Sequence, residues 1–240
     1  MRRQSGIALA AFALALTVPA ASAQAQAGEE SRAVAGGGIT LAGWKGQVDA
    51  SEAAKGLKIT DAKLVGMGAG MHVTTGPATN YWNPANKGMG DYTVKATFAE
   101  REFMAINDHA HPYGVLIAGS GLDTDKPEAF YCAAYGDGRF IARGFSATAP
   151  RGTFQANGRM GETHASVNKA AGKGSPVTQE ISVSVKGDNV TCTINGTLVG
   201  TYPKASLMGE GKLTTLDGFV GVRFGHNTDA HVSGFALTKP

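Results

Sequence analysis

The chain alternates between apolar and polar positions in short runs. Between Asp91 and Glu100, Tyr92, Val94, Ala96 and Phe98 fall on one parity, while Thr93, Lys95 and Thr97 fall on the other. Ile181, Val183 and Val185 alternate with Ser182 and Ser184, and Val190, Cys192 and Ile194 alternate with Thr191 and Thr193. A period of two predicts strands with one face on a core and the other toward solvent or a ligand. Tyr113 to Ala118 is apolar throughout, as suits a central strand. Lys186-Gly187-Asp188-Asn189 and Asn195-Gly196 sit between such runs and predict hairpin turns.

No long helical period interrupts this pattern, and Gly, Asn, Asp and Pro punctuate it throughout, with 34 glycines in 240 residues. The writing is that of an all-β sandwich or barrel. Residues 150–176 depart from it, being long, polar and aperiodic. Segments of that length tend to be functional or mobile, and a short helix is expected near His164 to Ala171. Residues 24–38, rich in Ala, Gln, Glu and Gly, are expected to form a flexible leader.

The first 23 residues have the make-up of a cleaved export signal. Arg2 and Arg3 precede an apolar run from Gly6 to Val18, Pro19 breaks it, and Ala21-Ser22-Ala23 supplies a small-x-small cleavage site. A second such site, Ala25-Gln26-Ala27, follows. The apolar run is too short to span a bilayer of ~30 Å. The expectation is Sec-type export to the periplasm or beyond, leaving one domain over residues 39–240. All 19 acidic residues and all but two of the 22 basic ones lie beyond residue 23. So balanced a charge gives no reason to expect nucleic acid as a partner.

The order of several segments resembles a known family. Trp44 opens a segment running to Asp49; then come Met71 to Pro77 with Tyr81-Trp82, and Gly90-Asp91-Tyr92-Thr93-Val94. His111-Pro112-Tyr113-Gly114-Val115, Asp217 to Arg223 and Val232-Ser233-Gly234-Phe235 follow. This order is similar to the concanavalin A-like jelly-roll domains of exported bacterial proteins, in particular the 3-keto-disaccharide hydrolase-like group and its relatives of unknown function. The resemblance implies a jelly-roll sandwich of two antiparallel sheets. It leaves activity open, because one fold hosts lectins, glycosidases and adhesive modules.

Candidate chemistry is sparse. Asp123, Asp125 and Glu128 approach the acid spacing of jelly-roll glucanases, but Pro127 and the preceding Gly119-Ser120-Gly121 place them in a polar turn. Calcium ligation by the three carboxylates is the other reading of that turn. No Gly-x-Ser-x-Gly elbow occurs. Gly66 to Gly70 leads into a strand, so it is no phosphate loop. His109 and His111 share one side of an extended segment, and His226 or His231 would have to join them in a metal site. Spacing cannot bring them together, so surface or hydrogen-bonded histidines are expected, with no metal and no cofactor. Cys132 and Cys192 lie on apolar parities and are candidates either for a disulfide or for two buried thiols.

The pattern that points to a ligand is one of arginines and tyrosines. Arg139 and Arg143 alternate with Phe140, Tyr131 and Tyr135 alternate with Cys132, and Arg223 alternates with Phe224. If the phenylalanines face the core, these five residues share the opposite face. A hairpin at Gly136-Asp137-Gly138 would set the tyrosines beside the arginines. Such a face suits saccharide rings and their hydroxyl or carboxylate groups. The expectation is a saccharide-binding domain. The alternatives are a glycan-processing enzyme of the keto-disaccharide hydrolase-like group and an envelope protein-interaction module.

Overall fold

The structure, a computed structural model, describes residues 30–240. The export signal expected over residues 1–23 lies outside the described residues. Two sheets face each other. The first has the order β1 (Gly38–Ile39), β3 (Ala62–Met67), β4 (Gly70–Thr75), β16 (Asp229–Thr238), β6 (Tyr92–Glu100), β12 (Val177–Lys186), β13 (Asn189–Ile194) and β14 (Thr197–Pro203). The second has the order β10 (Thr153–Gln155), β9 (Arg139–Phe145), β8 (Glu128–Ala134), β7 (Tyr113–Ser120), β15 (Gly218–Phe224), β5 (Thr79–Gly88) and β2 (Lys45–Val48), with β11 (Glu162–Thr163) also on β9. Among the described residues, all strand pairs are antiparallel except β1 with β3. This is a concanavalin A-like jelly-roll sandwich.

The alternation read in the sequence decides which residues fill the space between the sheets. Val94, Phe98, Ile181, Val183, Val190 and Cys192 come from the first sheet, and Val115, Ile117, Phe130, Cys132, Phe140, Val222 and Phe224 from the second. Each large apolar side chain so buried contributes roughly 1.5–3 kcal/mol relative to exposure. Cys132 on β8 and Cys192 on β13 meet across this core as a disulfide, with Cα atoms 6.2 Å apart. Asn195 (φ 51°) and Gly196 (φ 78°) turn β13 into β14, as the Asn-Gly pair predicts.

Two expectations are corrected. No helix forms over residues 164–171, which instead make turns and a bridge between Asp137 and Lys169. Asn168 explains why: its side-chain amide donates to the Thr178 carbonyl, and its backbone N–H and carbonyl bond the Gln179 side chain, so the segment is tied to β12 and its backbone groups are not free for a helical ladder. Residues 30–38, read as part of a flexible leader, lie against the domain. The Val34 N–H donates to Asp61, the Arg32 N–H donates to the Asn227 side chain, and Gly38–Ile39 pairs with β3. The helices are short: α1 (Ala50–Ala53), α2 (Lys204–Leu207) and two 3₁₀ turns at Ile59–Asp61 and Pro150–Gly152. Among the described residues, no helix is long and apolar enough to cross a membrane.

Candidate functional site

The outer face of the second sheet carries the residues singled out in the sequence. β8 and β9 form a hairpin with Tyr131 opposite Arg143 and Ala133 opposite Ile141. Tyr135 donates its N–H to the Arg139 carbonyl at the closed end. Arg223 on β15 lies in the same sheet, with Gly114 of β7 opposite it on one side and Asn80 of β5 on the other. Phe140 and Phe224 face the inter-sheet core, so all five candidate residues share the outer side.

What sequence parity cannot show is what covers that side. Tyr131 is 2% exposed and Tyr135 9%. Both belong to a second apolar cluster with Leu116, Ile141, Phe103 and Leu122. The loop of residues 101–112 supplies Phe103, whose ring occupies the place a Cβ on Gly136 would take. The outer face read from the sequence is thus covered at both tyrosines. Burial raises the pKa of Tyr131, with Arg223 and Arg143 working the other way.

The arginines are engaged too. Arg139 forks onto Asp137, donates to the Met160 carbonyl and lies over the Tyr135 ring at 4.4 Å. The bonds to Asp137, only partly offset by burial, raise its pKa. Arg143 donates to the Gln155 side chain and the Arg159 carbonyl. Arg223 is buried, and both its terminal nitrogens donate to the Asp49 carboxylate. Burial disfavours the Arg223 charge, but Asp49 outweighs it and the pKa stays raised.

Beside this ion pair opens a cleft of about 710 Å³. Asp49, Asn80, Phe145, Arg151, Thr153 and the segment from Thr124 to Pro127 are among the residues that line it. None of the five candidate residues lines it directly. Arg223 underlies it, its guanidinium 5.1 Å from the centre of the Phe145 ring. The cleft residues escaped the sequence reading because Asp49, Asn80 and Arg151 lie on three distant segments without a shared motif. Phe145 alone had a signal, since it has the parity of Arg139 and Arg143 on β9. The carboxylates of the Asp123 to Glu128 turn are spread apart in function: Asp123 pairs with Lys45, Glu128 accepts from Thr214, and Asp125 lines the cleft.

The histidines also depart from expectation. The backbone around Gly225 turns β15 back toward the segment before β7, where the Gly225 N–H donates to the Pro112 carbonyl at 2.7 Å. This brings His226 to His109 and His111. Burial, then the neighbouring His226 and His109, push the His111 pKa down to about 3. His231 stays apart, packed edge-on against His72.

Comparison with solved structures supports the architecture. The carbohydrate-binding module CBM66 from Bacillus subtilis matches with a TM-score of 0.52 at 12% identity, over 84% of this chain and 99% of that one. A Bacillus subtilis protein of unknown function with a galectin-like fold matches with a TM-score of 0.48 at 10% identity, over 81% and 88%. The laminarinase catalytic domain from Thermotoga maritima gives 0.47 at 11%, over 79% and 88%. At 12% identity the match to the carbohydrate-binding module shows a shared fold and nothing finer. No protein-family model matches the chain, and no curated relative matches it.

Proposed function

We propose that this chain is an exported saccharide-binding domain whose ligand sits in the cleft beside Arg223 and Asp49. The observation that carries the reading is the make-up of that cleft: an aromatic edge from Phe145 with polar groups of Asn80, Asp49 and Arg151 around it. A sugar presents an apolar ring face and a rim of hydroxyls, and a few polar groups around an aromatic contact match both. The module that shares the fold at a TM-score of 0.52 is itself described as carbohydrate-binding, which favours the same ligand class. Export rests on the segment from Arg2 to Ala23.

Binding is favoured over glycan hydrolysis by the engagement of Asp49, one of the two carboxylates, with Asp125, that line the cleft. A glycosidase needs one acid held protonated near a second carboxylate. Asp49 is instead engaged through both carboxylate oxygens by Arg223, which leaves it poorly placed to act as an acid or a nucleophile. The finer assignment to the keto-disaccharide hydrolase-like group would require a second acid beside Asp125 that is free of an ion pair.

A glycan array with the mature protein, followed by calorimetric titration of the hits, tests the reading. Asn80→Ala and Arg151→Ala are each expected to weaken binding about tenfold, a loss of roughly 1.4 kcal/mol. Phe140→Ala, on the inner face, should cost ~3–5 kcal/mol of stability without altering specificity. An array without hits, or affinity unchanged in both cleft variants, defeats the proposal.

A further inference from the structure

We propose that His109, His111 and His226 form a binding site for one divalent transition-metal ion of the zinc class. One ring nitrogen from each lies within 4.8 Å of the others. Ring centres are 3.7 Å apart for His111 and His226, 4.2 Å for His109 and His111, and 6.0 Å for His109 and His226. Tetrahedral zinc at ~2.0–2.1 Å from each nitrogen needs nitrogens roughly 3.3 Å apart. Small side-chain rotations close that gap.

Three further observations single out this cluster. First, Nε2 of His111 and Nε2 of His226 are both buried with no hydrogen-bond partner. An unpartnered buried polar atom is costly, and a shared cation would satisfy both. Second, the opposite nitrogen of His226, Nδ1, faces Glu52 Oε1 at 3.5 Å, and Glu52 is in turn held by the Ser31 hydroxyl. A carboxylate behind a ligating imidazole fixes its tautomer and leaves the other nitrogen free for the metal. Third, the two loops are tied together on both sides of the cluster. The Gly225 N–H donates to Pro112, and the Asn107 amide donates to the Asn227 carbonyl at 3.1 Å. The imidazoles are thus held close before any ion arrives.

Three neutral imidazoles suit zinc, copper or nickel and not calcium or magnesium, which take oxygen. All three histidines are partly exposed, and a fourth ligand could come from solvent at the exposed side of the cluster. This site stands independently of the saccharide reading. The two sites meet at α1, whose N-cap Asp49 bonds Arg223 and whose Glu52 faces His226.

The test is titration of the chelator-treated mature protein with zinc chloride, read by calorimetry and thermal melting, with cobalt(II) as a spectroscopic probe. One ion per chain is expected, with Kd in the micromolar range or tighter. At a hundredfold excess over Kd, Tm should rise by roughly 5–10 °C. Cobalt should show the intense visible bands of a tetrahedral site, and calcium should have no effect. H109A and H111A should abolish binding. E52Q should weaken it 10–100-fold while keeping all three imidazoles, which covers the case where a histidine variant fails to fold. H72A, at the separate His72–His231 pair, should bind as before. Failure to bind zinc below ~1 mM, or binding lost in H72A and retained in H109A, overturns the site.

Discussion

Arg223 and Asp49, 174 residues apart in sequence, meet as a bidentate ion pair in which Nη2 lies 2.6 Å from Oδ2. Only 7% of the Arg223 side chain and 19% of the Asp49 side chain are exposed. The pair joins β15 to the start of α1 and forms the wall and underside of the cleft. Removing one partner of a buried pair leaves the other charge uncompensated, at a cost of about 3–5 kcal/mol. Asp49→Ala should therefore lower Tm by roughly 10 °C or more in a domain of this size. The exposed Lys45–Asp123 pair, with side chains 54% and 61% exposed, gives the contrast: Asp123→Ala should cost at most about 1 kcal/mol. Denaturant midpoints of the two variants measure the difference. Equal small losses would mean that Arg223 finds water or another acid in place of Asp49.

The Cys132–Cys192 bridge spans 60 residues and crosses the core. By loop-closure entropy it contributes about 4 kcal/mol of stability. Thiol labelling of unreduced, denatured protein should find no free thiol, and Cys132→Ala with Cys192→Ala should lower the midpoint of unfolding accordingly. Two labelled thiols in that assay would disprove the bridge.

Glu100 gives a pH dependence of definite sign. Its carboxyl is buried beside β12, with Oε2 unpartnered and Oε1 accepting only a 3.4 Å contact from the Met104 N–H. Burial raises its pKa to about 7, the Met104 N–H opposes this, and the charge of Asp229 adds to the rise. The folded state therefore keeps a proton that the unfolded chain gives up near 4.5, the ordinary value for a glutamate. Stability from this group is present below pH ~4.5 and is lost as pH rises toward ~7, by about 3 kcal/mol at most. Glu100→Gln should flatten this part of the stability curve and raise Tm above pH 7. Melting curves of both proteins from pH 4 to 9 isolate the effect, since every other titrating group is common to the two. A difference that stays constant with pH would place the proton elsewhere.

The sandwich was legible in the sequence because burial on one face of a strand forces a period of two. Val94, Phe98, Val183 and Cys192 show it, and each lies in the core between the sheets. The same parity put Tyr131, Tyr135, Arg139, Arg143 and Arg223 on one outer face, and the Gly136 to Gly138 turn set Tyr131 against Arg143. Parity carries no information about what lies above a face. The loop bearing Phe103 buries the tyrosines, and Asp49 claims Arg223.

What the sequence by itself determined was the layer architecture, the inward residues and the hairpins at Gly187 and Gly196, all set by local alternation and turn chemistry. Only the tertiary structure decided the rest. It chose one of the two readings left open for Cys132 and Cys192, placed the cleft, and gathered His109, His111 and His226. Each of these depends on where non-adjacent loops and strands meet. Such meetings follow from how the two sheets pack and how their connections cross, and neither leaves a period or a spacing in the chain.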